Sequence, residues 1–496
     1  MPSSRRVPPF APNPRALRAH RVPDWFHDAK LGIFIHWGVF SVPAWAPRLG
    51  SVPELIRDHY YDLCINTPYA EWYWNALREP GTPTNRHHAA THGADTPYES
   101  FREPFEKMLE TWDPAPWADA FAAAGARYVV LVTKHHDGYL LWPSRHPNPR
   151  KPDWQSKRDV VGELADAVRA RGMRFGTYYS GGLDWTFETR PIRNGAEMLA
   201  STPMDAEYAS YVDAHYRELV ERYQPSVLWN DIGYPPGDAL FRLFADYYES
   251  VPEGVVNDRF FPAGLVNRLA RFAPARALLN AVVRRIILRP GHVFVPPRPP
   301  HSDFRTPEYA KYPDVRPEKW EATRGMGNSF GYCRNEGEHE LLDQDELVRG
   351  FADIVSKNGN LLLNVGPTGD GDIPQAQLDR LTALGSWLRT NGEAIHGTRP
   401  WRRGTAVTGE CVDIRFTCRD DAIYAILLGA PGTPRVTLPD LGPSARAEIT
   451  LLGYGPLQAT ADGDRLALEW PVGLPAAPAF AIRIHDPDLA RAGRSA

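Results

Sequence analysis

The chain has 496 residues, which exceeds one ordinary hydrophobic core and predicts two domains, one of them large enough to be a barrel. Its hydrophobic content of 43% and charged content of 23% are typical of a globular enzyme, and its formal net charge of −4 argues against a nucleic-acid partner. The sequence has neither the apolar core of a signal peptide nor an apolar stretch of membrane-spanning length, so we expect no transmembrane segment and a cytoplasmic protein.

Short apolar runs and longer helical patterns alternate from Trp25 onward. Six runs are predicted to be buried parallel strands: residues 32–38, 127–134, 173–180, 226–231, 254–259 and 360–366. Four helical patterns cover residues 115–126, 159–173, 208–225 and 378–395. This alternation predicts an α/β chain with a (β/α)8-like barrel as its catalytic domain, residues 21–398, after a loose N-terminal tail over residues 1–20.

The pattern changes near residue 400, where apolar and polar residues alternate with a period of two between turn residues. Examples are “CVDIRFTCRDDAIYAILLG”, “RAEITLLGYG” and “AFAIRIH”. This alternation predicts a C-terminal antiparallel β-sandwich over residues 399–487, followed by a short tail over residues 488–496.

Several of the predicted strands end in a polar or aromatic side chain. These residues are His36, the pair His135 and His136, Tyr178, Asp231 and Arg259. The catalytic groups of β/α barrels lie at the carboxyl ends of the strands, so the pattern predicts a site there. Turn chemistry is an alternative explanation for Asp231, because Asn-Asp-x-Gly is a good turn sequence.

The pair His135–His136 in “TKHHDG” suits a metal site, a proton-transfer site or a polar platform for hydroxyl groups. Neighbouring residues on a strand point to opposite faces, but at a strand's end both can border one pocket. A metal site is disfavoured because no carboxylate-rich stretch stands beside the pair. The loop over residues 369–374, “GDGDIP”, lacks the 12-residue ligand pattern of a calcium loop and is typical of a turn.

Nine segments occur in order along the chain: “GIFIHWGVFSVPAW”, “AEWYW”, “AGARYVVLVTKHHDGYLLWPS”, “KRDVVGELADAVRARGMRFGTYYSGGLDW”, “VLWNDIGYP”, “VVNDR”, “DFRTPEY”, “KWEATRGMGNSFGY” and “GNLLLNVGPTGDGDIP”. Together they resemble the α-L-fucosidases of glycoside hydrolase family 29, from about residue 24 to residue 401. The predicted sandwich is consistent with the C-terminal domain of that family.

The resemblance implies a retaining, exo-acting enzyme that hydrolyses terminal α-L-fucosyl linkages through a covalent fucosyl-enzyme intermediate. It assigns the nucleophile to Asp231 and the general acid/base to Glu308, with Glu321 as the second candidate for the acid/base. A retaining glycosidase needs two carboxyl groups about 5–5.5 Å apart, of which the general acid must carry a proton.

The resemblance also implies a pocket for the fucose ring, lined by His36, Glu71, Trp72, His135, His136, Tyr178, Trp229 and Arg259. The histidine pair is then a sugar platform, because a neutral imidazole supplies one hydrogen-bond donor and one acceptor. We expect no metal and no cofactor. The expected partner is a fucosylated oligosaccharide or glycoconjugate, with no nucleic acid; a homo-oligomer stays open.

Three other functions remain open at this point. One is a related exo-glycosidase for a fucose-configured sugar such as α-L-galactose. The second is a non-catalytic fucose-binding relative, although Asp231 and Glu308 are both present. The third is a metal-dependent barrel hydrolase.

Two stretches depart from the family pattern, at about residues 79–103 and 260–300. The second contains seven arginines and no acidic residue, and its centre has a helical period with apolar and basic faces. It is either a helix solvated on one face, a lid over the aglycone side of the pocket, an anionic-ligand surface or a membrane-surface helix. The insertions leave the aglycone preference open.

Overall fold

The computed structural model describes residues 10–50, 52–288, 298–442 and 447–492 of the chain. A curled parallel sheet of seven strands, in the order β5-β4-β3-β2-β1-β7-β6, forms the N-terminal domain. These strands are β1 (Leu31–Ile35), β2 (Tyr128–Lys134), β3 (Arg174–Ser180), β4 (Val227–Asp231), β5 (Val255–Val256), β6 (Trp320–Gly325) and β7 (Gly359–Val365).

An irregular extended segment, residues 304–308, lies between the two outer strands of this sheet. Isolated parallel bridges join Asn257 after β5 to Phe304, and Arg305 and Glu308 to Trp320 and Thr323 of β6. The segment therefore occupies the eighth position of the ring, and the predicted (β/α)8-like barrel is confirmed.

Two strands differ from the sequence prediction. The predicted strand 254–259 is regular only at Val255–Val256, because the side chain of Asn257 replaces the ladder by accepting from Asn230 N at 3.0 Å and donating to Asn230 O at 2.9 Å. Strand β6 was not predicted, since Glu321 and Arg324 interrupt its apolar pattern.

Alternate residues along the strands point into the barrel and fill it. On β4, Val227 and Trp229 pack inside while Leu228 packs outside against the helices. The inner cluster contains Phe26, Phe34, Tyr128, Val130, Val132, Tyr178, Val227, Trp229, Val255, Phe304 and Leu362. The same period of two directs Asp231 to the top of the barrel interior.

Helices surround the sheet, and aspartate side chains cap several of them. Asp159 and Asp205 accept hydrogen bonds from the backbone N–H groups of Gly162 and Tyr208. The helices are α1 (Pro14–Leu17), α2 (Asp24–Ala29), α3 (Val52–Asp58), α4 (Tyr73–Leu77), α5 (Pro83–Thr91), α6 (Arg102–Leu109), α7 (Ala115–Ala123), α8 (Val160–Ala170), α9 (Gly195–Ala200), α10 (Ala206–Tyr223), α11 (Ala239–Ser250), α12 (Leu265–Ala270), α13 (Ala273–Ile287), α14 (Gln344–Ser356), α15 (Gln375–Asn391) and α16 (Pro487–Ala492). Within the described ranges, no helix is long and apolar enough to cross a membrane.

Antiparallel strands form the C-terminal part, as predicted. They are β8 (Arg399–Val407), β9 (Asp413–Cys418), β10 (Ala422–Leu427), β11 (Arg435–Leu438), β12 (Glu448–Leu451), β13 (Gly455–Pro456), β14 (Ala459–Asp462), β15 (Arg465–Glu469) and β16 (Phe480–His485). A six-stranded sheet, β13-β12-β16-β10-β9-β8, and a three-stranded sheet, β11-β15-β14, enclose one apolar cluster between them.

The two predicted tails are partly ordered. Each contains a short helix, α1 or α16, whose buried side chain, Leu17 or Ala490, packs against the rest of the protein. The insertion 79–103 contains α5, and the insertion 260–300 contains α12 and α13. Residues 1–9, 289–297 and 493–496 of the predicted tails and insertion lie outside the described residues.

Candidate active site

The ten site residues expected from the sequence lie together at the carboxyl ends of the barrel strands. Ring contacts and hydrogen bonds connect nine of them directly: His36, Trp72, His135, His136, Tyr178, Trp229, Asp231, Arg259 and Glu308. Glu71 joins through the segment 329–331, whose Phe330 ring lies 4.9 Å from the His36 ring.

One guanidinium group connects the two candidate catalytic carboxylates. Arg259 Nη1 donates to Asp231 Oδ1 at 2.9 Å, and Arg259 Nη2 donates to Glu308 Oε2 at 3.0 Å. Burial opposes the charge of Arg259, but the two carboxylates outweigh burial and raise the pKa of Arg259. Its Nε also donates to the Thr306 hydroxyl at 3.1 Å, which holds the guanidinium in place.

Both oxygens of Asp231 are held at the end of β4. Oδ1 also accepts from the backbone N–H of Ile232 at 3.0 Å, and Oδ2 accepts from the Tyr178 hydroxyl at 2.9 Å. Ile232 has a φ of 52°, which is uncommon for a β-branched residue. Gly182 approaches the Ile232 carbonyl so closely that a Cβ at position 182 would lie 1.7 Å from its oxygen. The turn after β4 therefore holds the Asp231 carboxylate in one orientation.

Three buried histidines lie beside Asp231 and its hydrogen-bond partner Tyr178. Burial is the main cause that lowers the pKa of His36, to about 3, and the pKa values of His135 and His136 well below their ordinary value, so all three are neutral at pH 7. His36 Nδ1 donates to the Asn364 side-chain oxygen at 2.6 Å, because the Asn364 amide nitrogen already donates to the Phe330 carbonyl. His36 Nε2 is left as a hydrogen-bond acceptor.

His136 has the same tautomer for a similar reason. The Ser180 hydroxyl donates to the Leu183 carbonyl, so its oxygen accepts from His136 Nδ1 at 2.6 Å. His136 Nε2 is then an acceptor, 3.8 Å from Asp231 Oδ2. Nδ1 of His135 has no hydrogen-bond partner within the described part of the chain. These nitrogens are suited to the hydroxyl groups of a sugar.

Glu71 and Trp72 enter the site from a short 3-10 turn, Ala70–Trp72. Burial raises the pKa of Glu71 to about 7, although its Oε2 accepts from the Gly331 N–H at 2.8 Å. The Trp72 ring meets the His136 ring edge-on at 5.2 Å. A carboxyl group with a raised pKa and an indole thus enter the site from the loop after α3.

Glu321, the second acid/base candidate, lies deeper in the barrel than Glu308. Glu308 pairs with Thr323 of β6, whereas Glu321 is two residues earlier on that strand and therefore about 7 Å nearer its amino end. Glu321 is fully buried and accepts hydrogen bonds from Trp229 Nε1, at 3.0 Å, and from the Tyr128 hydroxyl. The Glu308 side chain is 23% exposed. The geometry favours Glu308 as the group that can reach a substrate.

Four site residues were missed in the sequence. Tyr69 donates its hydroxyl to Glu308 Oε1 at 3.0 Å, while Thr306, Asn364 and Phe330 position Arg259 and His36. Tyr69 stands two positions before Glu71, and Thr306 two before Glu308. Their closeness in sequence to predicted site residues is the signal that could have indicated them.

The comparisons with known proteins agree with this geometry. A family model described as alpha-L-fucosidase matches residues 3–393. This chain belongs to the α-L-fucosidase family. Bos taurus tissue alpha-L-fucosidase is 31% identical over 467 residues, which cover 90% of this chain and 83% of that protein.

Solved α-fucosidase structures share the whole fold. The Thermotoga maritima α-fucosidase in complex with fucose is 41% identical to this chain with a TM-score of 0.80. The same enzyme in complex with a mechanism-based inhibitor gives a TM-score of 0.81. Each alignment covers 96% of this chain and 100% of the other. Family membership confirms the predicted enzyme class, a glycoside hydrolase of the α-L-fucosidase type that acts on a glycan.

No group of three or more histidine, cysteine, aspartate or glutamate side chains in the described ranges could hold a metal ion. Asp137, which follows the histidine pair, is buried and accepts from the Tyr98 hydroxyl at 2.9 Å. Tyr98 comes from the 79–103 insertion, which therefore supports the loop after β2 from behind.

Proposed function

We propose that this α-L-fucosidase is a retaining, exo-acting enzyme in which Asp231 is the nucleophile and Glu308 the general acid/base. The observation that carries the proposal is the single Arg259 guanidinium bound to both carboxylates. One guanidinium bridges the two side chains, so both carboxyl groups face one small pocket, as the nucleophile and the general acid/base of a retaining enzyme must.

In the first step, Asp231 attacks the anomeric carbon while Glu308 gives its proton to the departing oxygen. Tyr178 and Arg259 orient the two oxygens of the attacking carboxylate. In the second step, Glu308 takes a proton from water, which attacks the anomeric carbon and releases Asp231. The ester of the intermediate carries no charge on Asp231, so Arg259 then faces the Glu308 carboxylate alone.

The neutral histidines and the aromatic rings support recognition of a fucose ring. His36 and His136 each offer an acceptor nitrogen to a hydroxyl group, and Trp72 offers an apolar surface. We propose terminal α-L-fucosyl groups of oligosaccharides or glycoconjugates as the substrate.

The test is a panel of aryl glycosides: α-L-fucoside, β-L-fucoside, α-L-galactoside, α-L-rhamnoside and β-D-galactoside, each with and without a chelator. The proposal expects the α-L-fucoside to have by far the highest kcat/KM, unchanged by the chelator. A preference for the α-L-galactoside would move the enzyme to a related sugar, and loss of activity with chelator would reinstate the metal-dependent alternative.

A further inference from the structure

The arginine-rich insertion is anchored to the barrel by one side of its helices. In α12, Asn267 Nδ2 donates to the Leu199 carbonyl at 3.0 Å. In α13, the buried Asn280 side chain accepts from the Ala196 N–H at 3.3 Å. Arg271, between the two helices, donates to the Thr202 carbonyl at 3.1 Å. The polar side of the insertion is thus turned toward the protein, on and beside α9.

The opposite side of the same helices is apolar and faces solvent. Leu278, Val282 and Ile286 recur every four residues along α13 and are 68%, 47% and 40% exposed. In the described part of the chain, the insertion holds eight of the thirteen large apolar side chains that are exposed: Leu265, Val266, Leu269, Phe272, Leu278, Val282, Ile286 and Leu288. We call these eight residues the outer apolar face.

Two exposed arginines, Arg268 on α12 and Arg285 on α13, accompany the outer apolar face. Arg268, Arg271 and Arg285 are exposed, and Arg276 and Arg284 are half-buried. Residues 260–300 contain no aspartate and no glutamate. None of these five arginines forms an ion pair with a carboxylate anywhere in the described ranges. The charge of Arg268 and Arg285 is therefore available to a partner, although the protein as a whole has a formal net charge of −4.

We propose that the outer apolar face, with its arginines, docks onto the surface of an anionic lipid bilayer. Helices that lie in a membrane interface combine apolar side chains, which enter the headgroup boundary, with arginines that contact anionic lipids. The apolar side chains of α13 and the exposed Arg268 and Arg285 are all on solvent-facing parts of the insertion, as that arrangement needs.

Two other occupants fit less well. A second copy in a symmetric dimer would place this surface against itself, so that arginines would meet arginines without an acidic partner. A nucleic acid would pair with the arginines but would leave the apolar side chains in water. An anionic bilayer satisfies both chemical features at once.

The first experiment is flotation of the full chain with large unilamellar vesicles at low ionic strength. Vesicles of phosphatidylcholine with one quarter phosphatidylglycerol are expected to bind at least about tenfold more protein than vesicles of phosphatidylcholine alone. Raising the salt to 0.5 M should reduce binding several-fold, because the arginine contribution is screened. Absence of binding to the anionic vesicles overturns the proposal.

Matched variants assign the binding to this surface. The triple variant Leu278→Ser, Val282→Ser, Ile286→Ser is expected to lower binding at least about tenfold. The control triple variant Leu49→Ser, Val407→Ser, Val472→Ser removes exposed apolar side chains elsewhere and should bind as the wild type does. Equal binding by the two triple variants would refute the assignment.

The charge is tested by the double variant Arg268→Gln, Arg285→Gln, with Arg435→Gln, Arg465→Gln as its control, since all four side chains are exposed. The first pair should lose most of the preference for anionic vesicles and the control should keep it. Hydrolysis of a soluble aryl α-L-fucoside reports that each variant is folded. Light scattering distinguishes membrane docking from dimer formation. If the wild type is a dimer that does not bind vesicles, and the Leu278 triple variant is a monomer, the outer apolar face is an interface with a second copy instead.

Discussion

Replacement of Glu321 by glutamine tests the role of the buried carboxyl group under the site. Glu321 accepts hydrogen bonds from Trp229 Nε1 and the Tyr128 hydroxyl, and burial raises its pKa from 4.5 to about 7, against the effect of those two donors. Glutamine has the same shape. Its amide oxygen can accept from Trp229, and its amide nitrogen can donate to the Tyr128 oxygen. Glu321→Gln therefore removes the ionisation and leaves the packing in place.

The magnitude follows from the two pKa values. Because the folded-state pKa of Glu321 is above the unfolded value, its contribution to stability is complete below pH 4.5 and is lost as the pH rises through 7. At 1.4 kcal/mol per pKa unit, ionisation of this buried group costs the wild type less than about 1 kcal/mol at pH 5 and about 3 kcal/mol at pH 8. The free energy of unfolding of Glu321→Gln, relative to wild type, should therefore rise by about 2–3 kcal/mol between pH 5 and pH 8.

The assay is urea unfolding of both proteins at pH 5, 6, 7 and 8, followed by tryptophan fluorescence. Subtracting the free energy of unfolding of the wild type from that of the variant at each pH cancels, to first order, the contributions of all other titrating groups. Glu249→Gln, at an exposed position of α11, is the matched control and should show a difference that is flat with pH. A change of less than about 0.5 kcal/mol for Glu321→Gln over this range would refute the reasoning.

Three further predictions concern catalysis. Asp231→Ala should lower kcat by on the order of 10⁴ or more, and azide should restore part of the activity; a wild-type rate would end the nucleophile assignment. Glu308→Gln should slow substrates with poor leaving groups by about 10²–10⁴ and activated aryl fucosides much less. Glu321→Gln is its control and should keep the wild-type ratio, whereas the reverse result would exchange the two roles. NMR of the first turnovers should show α-L-fucose; initial β-L-fucose would indicate an inverting enzyme.

Local sequence was sufficient for the barrel and for much of the site. A strand's apolar run is a local property, so it predicted β1 to β4 and β7, with Asp231 at the carboxyl end of β4. The order of nine short segments indicated the family, and with it Glu308, before any contact was known.

Features that depend on residues far apart in the chain needed the tertiary structure. Tyr69 reaches Glu308 across 239 residues, and Tyr128 and Trp229 reach Glu321 across 193 and 92 residues. The side chain of Asn257 ends β5 early by taking over its hydrogen bonds to Asn230.

The direction of the arginine-rich helix was also undecided in the sequence. The 3.6-residue period of α13 shows that it has an apolar face and a polar face, but the same period holds whichever face is buried. The anchoring contact of Asn280 with the Ala196 N–H leaves Leu278, Val282 and Ile286 on the outside. Periodicity is a property of the helix alone, whereas burial depends on which neighbouring surface offers the better partners, and only the folded chain brings that surface into place.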